Sequence, residues 1–140
     1  MEAENANTIG QKRILCIEDE HFISELYARA LTRAGYEVDV QTDGQQGLIA
    51  AQTDTYDIIL LDLMVPTITG MEILRVLRDV AETPTLHAKI IITTNLEQRE
   101  EVRTEIEHHA DGYLVKAEIT PHELVDFLKN LDVDTTTPKE

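Results

Sequence analysis

The sequence contains a single cysteine, Cys16, set inside an apolar run. No disulfide can form within the chain, and the thiol is expected to pack as a small buried hydrophobe. No run approaches the ~18 apolar residues that a membrane span requires. The opening MEAENANTIG has neither a basic start nor an apolar stretch, so no signal peptide is expected. Cations are scarce: 12 Lys and Arg stand against 27 Asp and Glu, a formal net charge of −15. Two acidic residues in 1–10 and a net −2 in 132–140 leave −11 on the stretch between them. Such a field disfavours nucleic acid and membrane surfaces as partners, and a cytoplasmic protein is the expectation. The GxxxxGK phosphate loop is missing. With the one cysteine inside an apolar run and none beside them, His21, His87, His108, His109 and His122 make no zinc site and read as surface residues.

What is present is the composition of one soluble domain: 140 residues, 42% hydrophobic and 28% charged. Four apolar runs each end in polar chemistry. Ile14-Leu15-Cys16-Ile17 runs into Glu18-Asp19, and Ile58-Ile59-Leu60-Leu61 into Asp62. Ile90-Ile91-Ile92 runs into Thr93-Thr94, and Tyr113-Leu114-Val115 into Lys116. Short, continuous apolar runs read as parallel strands covered on both faces. Strands are expected at 13–18, 36–41, 57–62, 89–94 and 112–116, and helices at 20–34, 45–54, 70–80, 97–109 and 121–131. This alternation predicts an α/β fold with helices on both faces of a parallel sheet. Residues 1–11 and 132–140 read as flexible ends around a domain at 12–131.

The helices differ in strength. Phe22, Ile23, Leu26, Tyr27, Ala30, Leu31 and Ala34 form an apolar stripe closed by Gly35. Thr69 with Glu72, and Thr120 with Glu123, have capping-box spacing. The fourth helix has only Leu96, Val102, Ile106 and Ala110 as an apolar edge, so little burial holds it.

In open parallel sheets, ligands sit just beyond the carboxyl ends of the strands. If the four runs are neighbours, three carboxylates, a hydroxyl and an ammonium meet at one rim. Clustered carboxylates repel, and a hard divalent cation relieves the conflict; an oxygen-only site suits Mg²⁺, with Mn²⁺ as the alternative. A carboxylate can also attack phosphorus, and an ammonium, a hydroxyl and a metal could each hold one oxygen of the transferred group.

Residues 12–131 resemble the receiver domain of two-component response regulators. The resemblance rests on Glu18-Asp19, Asp62, Pro66, Gly70, Thr94, Tyr113 and Lys116 in that order and spacing. It implies a flavodoxin-like, doubly wound five-stranded parallel sheet of order 2-1-3-4-5. It further implies that Asp62 is the phosphoacceptor and that Asp19, Asp62, the Met64 backbone carbonyl and, through water, Glu18 hold Mg²⁺. By the same resemblance Lys116 pairs with the acceptor, while Thr94 and Tyr113 are the switch pair. Thr93 competes for the hydroxyl role; Thr94 is preferred for its separation from Lys116. Met64 and Leu96 take the two positions that tune hydrolysis, and two apolar side chains there imply slow self-dephosphorylation. The implied partners are a sensor histidine kinase or phosphotransfer protein, a downstream protein and a second copy through the helix 4–strand 5–helix 5 face. A stand-alone, non-enzymatic switch is expected, because no output domain follows Leu131.

One departure stands out. Receivers usually carry proline after the lysine, and here Ala117 follows, so a trans bond and a differently shaped 117–120 loop are expected. Two rival readings stay open: a receiver-like binding module that is never phosphorylated, and an Asp-nucleophile phosphatase of the haloacid-dehalogenase type. The latter normally needs a second Asp where Met64 stands.

Overall fold

The computed structural model describes residues 11–136, so the N-terminal end expected to be flexible lies, apart from Gln11, outside the described residues. Five strands, β1 (Arg13–Ile17), β2 (Glu37–Gln41), β3 (Ile58–Asp62), β4 (Lys89–Thr94) and β5 (Gly112–Val115), form one parallel sheet ordered β2-β1-β3-β4-β5. Helices α1 (His21–Arg33), α2 (Gly44–Ala51), α3 (Gly70–Arg78), α4 (Glu100–His109) and α5 (Pro121–Thr136) connect and follow them. Among the described residues, no helix is long and apolar enough to cross a membrane.

The continuous apolar runs are explained by two cores, one on each side of the sheet. Leu15, Ile17, Ile59, Leu61, Ile90 and Ile92 face α2, α3 and α4, where they meet Ala51, Ile73, Leu74, Leu77 and Ile106. The alternate residues Ile14, Cys16, Ile58, Leu60 and Ile91 face α1 and α5, where they meet Tyr27, Leu31, Leu124, Val125 and Leu128. Every residue of β3 is buried. Each fully buried Ile or Leu side chain contributes about 2 kcal/mol, so this strand is the anchor of the sheet. Cys16 is buried, as expected, and burial followed by the charge of Glu18 pushes its thiol up to about 12.

Both capping boxes form. Thr69 Oγ1 accepts from the Glu72 amide at 3.2 Å, and the Thr69 amide donates to Glu72 at 3.3 Å. The Thr120–Glu123 pair repeats this at 3.1 and 2.9 Å. All five histidines are exposed.

Several expectations are corrected. Phe22 is 72% exposed rather than part of the α1 stripe. It lies nine residues, two and a half turns, from buried Leu31, and therefore on the opposite face. Leu96 is 73% exposed and precedes α4, which starts at Glu100 rather than 97. The last helix runs past Leu131 to Thr136, beyond the expected start of a tail at 132. The Lys116–Ala117 peptide, by contrast, is trans as expected, and Lys116–Glu118 makes one 3₁₀ turn.

Candidate functional site

Parallel strands with a common direction deliver their last residues to one rim. Ile17 lies beside Leu61, so Glu18 and Asp19 emerge next to Asp62, and Asp62 is in register with Thr93. Backbone hydrogen bonds extend the sheet one residue further: the Glu18 amide donates to Gln41 O at 3.0 Å and the Leu63 amide to Thr93 O at 3.1 Å. Lys116 follows β5, two strands from β3, roughly 10 Å at the usual strand spacing. Its side chain crosses the end of β4 to reach the carboxylates. Gly70 opens α3 against this rim. A Cβ there would fall on the Asp62 carbonyl oxygen and 2.6 Å from Leu63 Cα, so only glycine lets α3 approach.

The charges converge as the sequence anticipated. One oxygen each of Glu18, Asp19 and Asp62 lies within 4.8 Å of the others. Glu18 and Asp62 are buried, whereas Asp19 is exposed, so the cluster has one open side. The Lys116 ammonium donates to Glu18 Oε1 at 2.8 Å and lies 3.3 Å from Asp62 Oδ2 and 3.6 Å from Glu20 Oε1. Met64 donates its amide to Asp62 Oδ1 at 3.2 Å, and Glu20 donates its amide to Glu18 Oε2 at 3.1 Å.

Burial pushes the Glu18 carboxyl up to about 7; the hydrogen bond from Lys116 opposes this and the nearby Asp62 charge reinforces it. For Lys116, burial works against the charge, but the hydrogen bond to Glu18 and the attraction of Asp62 outweigh it and hold the ammonium above its ordinary range. One cation thus serves two buried carboxylates. The remaining negative charge and the all-oxygen donor set fit a hard divalent cation entering from the Asp19 side.

Thr94 ends β4, but its hydroxyl is turned to the following loop. It donates to Leu96 O at 3.1 Å and accepts from the Leu96 amide at 3.4 Å and the Gln98 side-chain amide at 3.0 Å. Tyr113 is half-buried, with its hydroxyl accepting from the Gln98 backbone amide at 2.9 Å. The Arg103 guanidinium lies 5.4 Å from its ring centroid and pairs with Glu97 at 2.7 Å. Met64 and Leu96 are both exposed.

The structure therefore gathers Glu18, Asp19, Asp62 and Lys116 at one point, with Met64 bonded to that cluster through its amide. Thr94 and Tyr113 stand apart from the cluster but are joined to each other through Gln98. Sequence reasoning missed Gln98 and the Glu20–Lys116 contact. The only available signal for Gln98 was a polar residue among the otherwise charged positions ahead of the fourth helix.

Residues 14–129 match the family model for the response regulator receiver domain. Response regulator ArlR of Staphylococcus saprophyticus is 40% identical over 104 residues, covering 74% of this chain and 45% of that relative. The chain thus spans about half the length of the curated relatives it matches. Among solved structures, a Francisella response regulator receiver domain aligns at TM-score 0.77 and 25% identity, covering 90% of this chain and all of that one. The chemotaxis response regulator CheY4 of Vibrio cholerae aligns at TM-score 0.74 and 29% identity, over 86% and 98% of the two chains.

Proposed function

Because this chain belongs to the response regulator receiver-domain family, we propose that it is a phosphorylation switch in which Asp62 accepts a phosphoryl group from a phosphohistidine donor. The observation that carries the reading is the buried Asp62 carboxylate held between Lys116 and the Met64 amide, beside Glu18 and Asp19. Asp19, Asp62, the Met64 carbonyl and, through water, Glu18 would hold Mg²⁺. When bound, the ion supplies charge neutralisation between the carboxylates and the incoming phosphoryl oxygens.

In the transfer, an Asp62 oxygen forms a bond to phosphorus as the donor's P–N bond breaks. The electron pair stays on the imidazole, which leaves neutral when its other nitrogen carries a proton. Lys116 is already charged and within reach, so it can stabilise developing charge without moving far. The product is an acyl phosphate, one group per chain, and the protein is consumed as an acceptor rather than turning over.

The new charge draws the Thr94 hydroxyl from its loop partners and Tyr113 from Gln98, which repacks the α4–β5–α5 face toward a downstream partner or a second copy. The donor is a sensor histidine kinase or a phosphotransfer protein.

Incubation with acetyl phosphate and Mg²⁺ tests the reading by intact mass. Addition of one phosphoryl group, lost in Asp62→Asn and in EDTA, is expected. No addition from acetyl phosphate or from any phosphohistidine protein would overturn it.

A further inference from the structure

We propose that Gln98 is a positioning residue that latches the resting form of this switch, an inference that rests on the phosphoacceptor reading above. A hydroxyl offers one donor and two acceptor positions. Thr94 has spent all three: it donates to Leu96 O and accepts from the Leu96 amide and from Gln98 Nε2. An incoming phosphoryl oxygen can only accept, so it gains the Thr94 hydroxyl only when that O–H leaves Leu96 O, and Gln98 Nε2 bridges those two oxygens.

The Gln98 amide is also fixed in its orientation. Nε2 lies 3.0 Å from Leu96 O, a group that can only accept, so the nitrogen end must face both Leu96 O and Thr94. The backbone N–H of the same residue holds the Tyr113 hydroxyl at 2.9 Å. One loop residue thus ties down both members of the switch pair. Release of Thr94 leaves the Gln98 side chain held only by Leu96 O, and movement of that residue withdraws the donor from Tyr113. The two switch residues are coupled through a shared partner rather than by direct contact.

Gln98 is half-buried in the three-residue stretch that fails to join α4. Its N–H already serves Tyr113, and Glu97 is held instead by Arg103 from within the helix. The latch therefore sits where the chain can open without unwinding a helix.

The test uses Gln98→Met, which keeps length and removes the donor, with Gln98→Glu as a second variant that also cannot donate. The chain has four tyrosines, so 3-fluorotyrosine labelling gives a readable ¹⁹F spectrum, with Tyr113 assigned from Tyr113→Phe. In donor-free protein, both Gln98 variants should shift the Tyr113 resonance. The initial rate of labelling by acetyl phosphate with Mg²⁺ should rise about fivefold, the equivalent of one hydrogen bond of about 1 kcal/mol. In a Thr94→Val background, Gln98→Met should change the Tyr113 resonance less, because one of the two contacts it removes is already gone.

Wild-type labelling with an unchanged rate in both Gln98 variants overturns the latch and leaves the phosphoacceptor reading intact. So does an undiminished Gln98→Met shift in the Thr94→Val background. Absence of labelling in the wild type overturns the phosphoacceptor reading, and the latch falls with it.

Discussion

Replacing Glu18 by Gln should remove a loss of stability that the metal-free protein suffers as pH rises. The Glu18 carboxyl is pushed from 4.5 up to about 7, first by burial and then by the charge of Asp62, against the opposing hydrogen bond from Lys116. The folded chain therefore holds this proton more tightly than the unfolded chain does. The resulting stability is fully present below about pH 4.5 and is lost as pH rises through about 7. At about 1.4 kcal/mol per pH unit, the whole displacement corresponds to about 3 kcal/mol, of which about 2–3 kcal/mol falls between pH 5 and pH 8. Glu18→Gln carries no titrating proton and still offers Lys116 an acceptor oxygen, so it should lack this loss. Urea unfolding in EDTA, at four pH values for both proteins, measures the difference; at a typical slope the wild-type midpoint should fall by about 1–2 M relative to the variant. Adding Mg²⁺ at pH 8 should restore much of the wild-type deficit, since the carboxylates then gain a counter-charge. Parallel pH curves for the two proteins would refute the reasoning, because they would mean that burial imposes no cost on the Glu18 charge.

Two further outcomes follow from the geometry. Met64 and Leu96 are exposed apolar side chains expected to flank the phosphoryl position, so Met64→Asn combined with Leu96→Glu should hasten phosphate loss by about tenfold, roughly 1.4 kcal/mol of barrier. Phosphoprotein followed on phosphate-affinity gels reads this, and a wild-type half-life of seconds would contradict it. Gly70→Ala must push α3 away from the Asp62 and Leu63 backbone, so a loss of about 2 kcal/mol or more is expected in urea unfolding, with slower labelling of Asp62; a neutral substitution would show that α3 can back away at no cost.

Most of the fold was legible because burial on two faces leaves an unmistakable mark. Ile58 to Leu61 and Ile90 to Ile92 are uninterrupted apolar runs, and each ends within two residues of the end of its strand. Glu18, Asp19, Asp62 and Lys116 were legible for the same reason: parallel strands of known order bring their ends together, whatever lies between them in sequence. Phe22 was misread because it adjoins Ile23 at the start of the stripe, and the position of Leu31 fixes which side of α1 is inward. The end of α5 was misread because apolar periodicity stops at Leu131, whereas a helix continues for as long as its backbone hydrogen bonds do. Gln98 was invisible for a different reason. Its role depends on an irregular loop that points its side chain and its N–H at two different strands, and no periodic pattern records that.

β3 is enclosed along its whole length, whereas no residue of β5 is fully buried and α4 buries only Ile106. The acceptor is thus mounted on a bolted jaw that faces a sprung one. Any thrust produced at the rim, whatever its initial direction, is absorbed on the yielding flank, because the central strand has nowhere to go. A protein that grips α4 and β5 can therefore sense the state of Asp62 without ever touching it.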